Sequence, residues 1–172
     1  DAQYCEMVIP NREVKSIYKN TIMHWFDERI KAVGTTELFD SVITGNSEKF
    51  EDIVNDWLLD TISYHDSYEN FYHGFLTGLI TGRRGYSVKS NRESGKGRSD
   101  ITICEFQKRK IAVIIEIKIA EKYSDLDKKC EEALKQIEDK QYEAELREQS
   151  YNNIIKYGVA FCSEKVCKVK KK

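Results

Sequence analysis

The chain has 172 residues and a formal net charge of −1, with 40% hydrophobic, 11% aromatic and 33% charged residues and a single proline. This composition excludes collagen-like, disordered and disulfide-framework classes and offers no global field to attract a polyanion. The longest apolar run, Ile111 to Ile115, is far short of the roughly 18 residues of a membrane span.

Residues 1–62 read as helical. A stretch from Asn11 to about Lys31 carries Val14, Ile17, Tyr18, Met23 and Trp25 at helical spacing, and Gly34 stops it. Thr36 can cap a short helix with Leu38, Phe39, Val42 and Ile43, ended by Gly45. Phe50, Ile53, Val54, Trp57 and Leu58 stripe a third helix. Residues 63–172 are expected to form the chemical domain. It opens with a helix from about Ser67 to Thr81, apolar almost all round, whose Gly74 and Gly78 are expected to admit a close approach to a sheet.

After Gly85 the period changes from helical to alternating. Tyr86–Lys89 predicts a short strand and Asn91–Gly97 a turn. Asp100–Phe106 and Ile111–Ile119 predict two strands around the polar turn 107–110. The second of them, IAVIIEIKI, has the near-continuous apolar character of a strand covered on both faces. Ser124 predicts the cap of one long helix to about Arg147, followed by strands over Ile154–Cys162 and Val166–Val169. The lysines that close the chain, from Lys165 to Lys172, read as a solvated tail.

Five cysteines without a second metal-binding pair or nearby histidine point to reduced thiols and a cytoplasmic protein. There is no signal peptide pattern and no initiator Met, so the chain is expected to be a piece of a longer protein.

The informative residues are Glu116 and Lys118. Two apart in a strand, they point to one face, inside the most apolar stretch of the chain. A buried charge costs several kcal/mol unless it is compensated. If the hairpin turn is centred near 108 and 109, Asp100 falls opposite Ile117, within one residue of Glu116. Two carboxylates and an ammonium then converge, and a hard divalent cation between the carboxylates would relieve their repulsion. This is a set suited to phosphodiester hydrolysis. Lys96, Arg98, Gly95 and Gly97 precede Asp100, within a segment, 83–98, of six bases against Glu93 alone. Such glycines let backbone approach a phosphate that the bases neutralise.

With GRSDI, VIIEIKI and the order helix, strand, strand, strand, helix, strand in place, the sequence resembles the PD-(D/E)XK nuclease superfamily. More narrowly, 69–162 resembles the nuclease-like domain found after an AAA-ATPase-like domain in many bacterial proteins. The stretches that carry this are ENFYHGFLTGLI, ESGKGRSDI, EIK, ALKQIEDKQY and IIKYGVAFC.

The resemblance implies a restriction-endonuclease-like α/β core, a central mixed β-sheet flanked by helices, preceded by a helical unit. It implies Mg²⁺ or Mn²⁺ as cofactor, held by Asp100, Glu116, the Ile117 carbonyl and Glu69, with Lys118 as the catalytic lysine. Gln136 and Tyr142 resemble a Gln and Tyr placed beside the site in exonuclease-type members, although here they are six apart rather than four. His73 lies one turn from Glu69 and joins Lys96, Arg98, Gln136 and Tyr142 as a nucleic-acid contact.

The function expected is metal-dependent cleavage of nucleic acid, with DNA the first candidate. The alternative is a catalytically silent binding or coupling module of a longer AAA-ATPase-containing protein. Expected partners are nucleic acid, that ATPase-like domain and a second copy in a homodimer, with no membrane. A GxxxxGK[ST] phosphate loop is absent from the sequence.

Overall fold

The computed structural model describes residues 35–61, 69–90, 99–106, 110–162 and 166–172. The helix expected over Asn11–Lys31 lies outside them, as do Lys96 and Arg98. Thr36–Lys172 form one compact unit. Its elements are α1 (Thr35–Thr44), α2 (Ser47–Thr61), α3 (Glu69–Ile80), β1 (Tyr86–Ser90), β2 (Ile101–Glu105), β3 (Ile111–Ala120), α4 (Leu126–Asp139), α5 (Glu143–Glu148), β4 (Asn153–Cys162) and β5 (Val166–Lys171). The five strands form one sheet in the order β1-β2-β3-β4-β5. Three pairings are antiparallel, and β3 and β4 run parallel, joined by the α4–α5 crossover. The expected mixed sheet flanked by helices is the architecture observed.

β3 lies at the centre, and residues 112–117 of it are buried without a break, which is why its sequence lacks alternation. Its two faces still serve different layers. Ala112, Ile114 and Ala120 pack with Leu126, Cys130, Ile137 and Leu146 of the α4–α5 side. The opposite face carries Tyr157 and Phe161 of β4. Tyr157 donates to the Val42 carbonyl at 3.0 Å and meets Phe50 edge to face, and Tyr72 stacks on Phe161. Helices α1, α2 and α3 therefore lie on that side, and α1 and α2 belong to the same body as the sheet.

Asn46 caps α2: its side chain accepts the Lys49 amide at 3.1 Å. α1 ends as expected at Gly45, whose φ of +80° is in the left-handed region that glycine adopts without strain.

Gly74 and Gly78 do not serve a close approach to the described residues, among which a Cβ added at either meets nothing within 4 Å. The glycine that does is Gly158 on β4, where an added methyl would overlap the Cys130 carbonyl oxygen and lie 3.1 Å from the Ala133 side chain. Helix α4 can seat on the sheet only because residue 158 has no side chain. Gly158→Ala is expected to cost about 3 kcal/mol or more, since the clash is with helix backbone rather than with a movable side-chain end. Urea denaturation of the two proteins checks this.

The described C-terminal lysines are not a solvated tail: Lys168, Lys170 and Lys171 lie on β5 and Lys172 follows it, and each of these four amines reaches a named oxygen, while Lys165 lies outside the described residues. Lys168 pairs with Glu51 at 2.9 Å, Lys170 with Asp127 and Glu131 at 2.9 Å, and Lys172 with Glu138 at 2.5 Å; Lys171 donates to the Gly45 carbonyl at 2.8 Å. Helix α2 also covers the outer edge of β5. Asn55 exchanges two hydrogen bonds with the Cys167 backbone, and Glu51 accepts the Val169 amide at 2.8 Å. Unpaired edge groups that could template another chain are thereby satisfied.

Candidate active site

The β2–β3 ladder pairs Ile101 with Ile115, so facing residues sum to 216 and Asp100 continues the register opposite Glu116. The expected register was one residue off, and the convergence it implied is present. Asp100 sits just before β2, outside the ladder. Its Oδ2 accepts the Ile117 amide at 2.8 Å, so the carboxylate replaces the acceptor that a longer β2 would have supplied. In an extended strand the N–H and C=O of one residue leave by the same edge. The Ile117 carbonyl therefore emerges on the edge that holds the Asp100 carboxylate.

Glu116 is 2% exposed. Its Oε1 accepts from Lys118 Nζ at 3.1 Å and, in a short bond, from Gln136 Nε2 on α4. Its Oε2 is buried and has no hydrogen-bond partner among the described residues. Burial, with the Asp100 charge adding to it, pushes the Glu116 carboxyl up to about 7, while Lys118 and the Asp100 amide pull the other way.

Gln136 also reaches Tyr142, donating to its hydroxyl at 3.3 Å. The spacing of six works because the helix expected to run from Ser124 to Arg147 is broken. α4 ends at Asp139, Gln141 takes a left-handed φ of 52°, and α5 restarts at Glu143. The chain doubles back over residues 140–142, which returns Tyr142 to Gln136. Burial raises the Tyr142 phenol, with Glu116 and Asp100 adding their charge. At the other end of α4, Ser124 is not the cap; it belongs to a short 3₁₀ turn, Tyr123–Asp125, with Asp125 at the cap position and no side-chain capping bond.

His73 lies in the interior, on the second turn of α3. It is 6% exposed, and its Nε2 lies 3.0 Å from the Asp100 carbonyl oxygen and 3.4 Å from Ser90 Oγ. Glu69 is the first residue of α3, and its side chain is outside what the structure describes. Ser99, which occupies the position before Asp100, is 4% exposed and bonds Thr102 Oγ1 at 2.8 Å. The Ser90 hydroxyl beside His73 was not foreseen; nothing in the sequence around residue 90 marks it.

The donor set suits a hard cation. The Asp100 carboxylate sits on the Ile117 amide and its charge acts on Glu116, and the orphaned Oε2 of Glu116 is the atom most in need of a cation. Among the described residues no group of three or more His, Cys, Asp or Glu side chains gathers to bind a metal by itself. A site built from the described residues thus consists of two carboxylates with backbone and solvent.

The fold is an α/β sheet with an Asp–Glu–Lys cluster beside its central hairpin. In a comparison with family models, residues 67–171 match the PD-(D/E)XK nuclease superfamily, and the chain belongs to it. Its members are typically nucleases that use divalent metal ions. Comparisons with curated proteins and with solved structures return no match. No described helix is long and apolar enough to cross a membrane.

Proposed function

We propose that this protein is a metal-dependent nuclease that hydrolyses nucleic-acid phosphodiester bonds, with DNA the substrate to test first. The observation that carries the reading is the Asp100–Glu116–Lys118 cluster, its two carboxylates buried and Glu116 Oε2 without a partner among the described residues. Asp100, Glu116 and the Ile117 carbonyl would hold Mg²⁺ or Mn²⁺, with Glu69 proposed as a further ligand. Bound there, the cation would supply Lewis-acid stabilisation of phosphate charge and acidify a coordinated water.

The protein's own groups do the rest. Lys118 carries its ammonium beside Glu116, where it can orient the attacking water and meet negative charge that grows on the phosphate. Gln136 fixes Glu116 Oε1 and, through Tyr142, ties the α4–α5 break to the site. Lys96 and Arg98 contact the sugar–phosphate backbone without reading bases.

The free thiols of the described cysteines accord with a reducing, cytoplasmic setting. We also place the chain beside an AAA-ATPase-like domain within a longer bacterial protein, working as a homodimer where two strands are cut.

The test is incubation of the purified chain with plasmid, linear duplex, single-stranded DNA and RNA, with Mg²⁺ or Mn²⁺ and with EDTA. Metal-dependent cleavage that Asp100→Asn and Glu116→Gln abolish is the expected outcome. A chain that binds these polymers and cuts none of them overturns the enzyme reading in favour of a silent coupling module.

Arg98→Ala and Lys96→Ala are each expected to weaken binding alike on unrelated sequences and to flatten the slope of log K against log salt by about one. Fluorescence anisotropy over a salt series measures this. An unchanged slope removes both residues from the interface.

A further inference from the structure

The β1–β2 ladder ends at Ser90–Ile101 and the β2–β3 ladder at Ile101–Ile115, so the carbonyl of Asp100 lies beyond both. A carbonyl oxygen can only accept. The His73 Nε2 that stands 3.0 Å from it must therefore carry the ring proton. The same nitrogen lies 3.4 Å from Ser90 Oγ. One buried imidazole on α3 thus joins the last residue of β1 to the residue that enters β2. It sits on a helix whose hydroxyl–carbonyl bond from Thr77 to His73, 2.7 Å, braces the turn that carries it.

Asp100 is consequently fixed at two points, its main chain by His73 and its carboxylate by the Ile117 amide. We propose that His73 is a positioning residue that holds the main chain of Asp100, so that its carboxylate is aimed at the cation together with Glu116. This rests on the metal-dependent reading given above. It gives the histidine a role in metal affinity rather than in contact with nucleic acid.

The required feature is a donor at the Nε2 position. A glutamine amide nitrogen reaches about as far from the backbone as Nε2 does, whereas an asparagine nitrogen matches Nδ1 and leucine offers no donor. The probe is Mn²⁺ itself, titrated calorimetrically and by electron paramagnetic resonance into the full chain and into His73→Gln, His73→Asn and His73→Leu. Thermal melts in EDTA confirm folding.

His73→Gln is expected to bind Mn²⁺ within about threefold of the parent. His73→Asn and His73→Leu are expected to lose about 10- to 100-fold, the range found when the partner of a metal ligand is removed. A folded His73→Asn or His73→Leu with parental affinity overturns the proposal while leaving the nuclease reading intact. A parent that binds no Mn²⁺ overturns both. Nitrogen-15 spectra of the parent give an arm that does not depend on any variant folding. They should show a ring proton on Nε2, and a ring protonated at Nδ1 alone refutes the bond to Asp100.

Discussion

Lys118→Ala is expected to lose cleavage by about 10²- to 10⁴-fold while binding nucleic acid within a few-fold of the parent. The asymmetry follows from where the charge acts. Lys118 is two residues from Glu116 on the same strand face, 3.1 Å from Oε1, and only a quarter exposed. An ammonium held there meets charge that grows in the transition state and adds little to the hold on a long polyanion. Asp100 and Glu116 remain in the variant, so metal binding should survive, and the Gln136 amide still reaches Glu116 Oε1. Single-turnover cleavage and equilibrium anisotropy at one ionic strength separate the two effects. A folded variant that cuts at the parental rate excludes Lys118 from the chemistry.

Glu116→Gln is expected to stabilise the metal-free protein above pH 7 and to abolish its stabilisation by Mg²⁺ or Mn²⁺. In the folded chain the carboxyl is pushed up to about 7 from an ordinary 4.5. The folded state thus holds a proton that the unfolded state releases. Below pH 4.5 both states are protonated and the contribution of Glu116 to stability is fully present. It is lost as pH rises toward 7, by about 1.4 kcal/mol per pH unit and about 3 kcal/mol in total, and is level above that.

A cation at Oε2 reverses the situation by competing with the proton, so binding should release protons and tighten with pH up to about 7. Melts from pH 5 to 8, with and without Mn²⁺, check both halves against the variant. The melting temperature should rise with ln(1 + [Mn²⁺]/Kd) in the parent alone. The same rise in Glu116→Gln would place the ion elsewhere.

The parts of the fold and site that were legible in sequence are those set by local pattern. The apolar run of β3, the carboxylate and ammonium two apart within it, and the hairpin that sets Asp100 against them all follow from strand geometry over fewer than twenty residues. The one-residue error in register arose because the centre of the polar turn expected over 107–110 cannot be fixed from composition alone.

What was not legible depends on distant partners. Residues 140–142 contain neither Gly nor Pro, so nothing local announces the left-handed Gln141 that brings Tyr142 back to Gln136. The lysines of β5 look solvated until Glu51, Asp127, Glu131 and Glu138 arrive from helices elsewhere in the chain. Gly74 and Gly78 had the spacing of a packing motif, but the close approach is at Gly158, which its sequence neighbours do not distinguish.

The single parallel pairing in the sheet has a consequence for the order in which the site comes together. Asp100, Glu116 and Lys118 belong to one hairpin, whereas Gln136 comes from α4, within the crossover that leads from β3 to β4. Closing the shorter loop loses less chain entropy, so in refolding the hairpin is expected to lead and the crossover to follow. The two carboxylates and the lysine therefore meet while water still surrounds them, at little electrostatic cost. The desolvation that raises Glu116 arrives later, as α4 docks. A divalent ion present from the start can then occupy the hairpin before it is enclosed, and refolding in Mn²⁺ should pass that late step faster than refolding in EDTA.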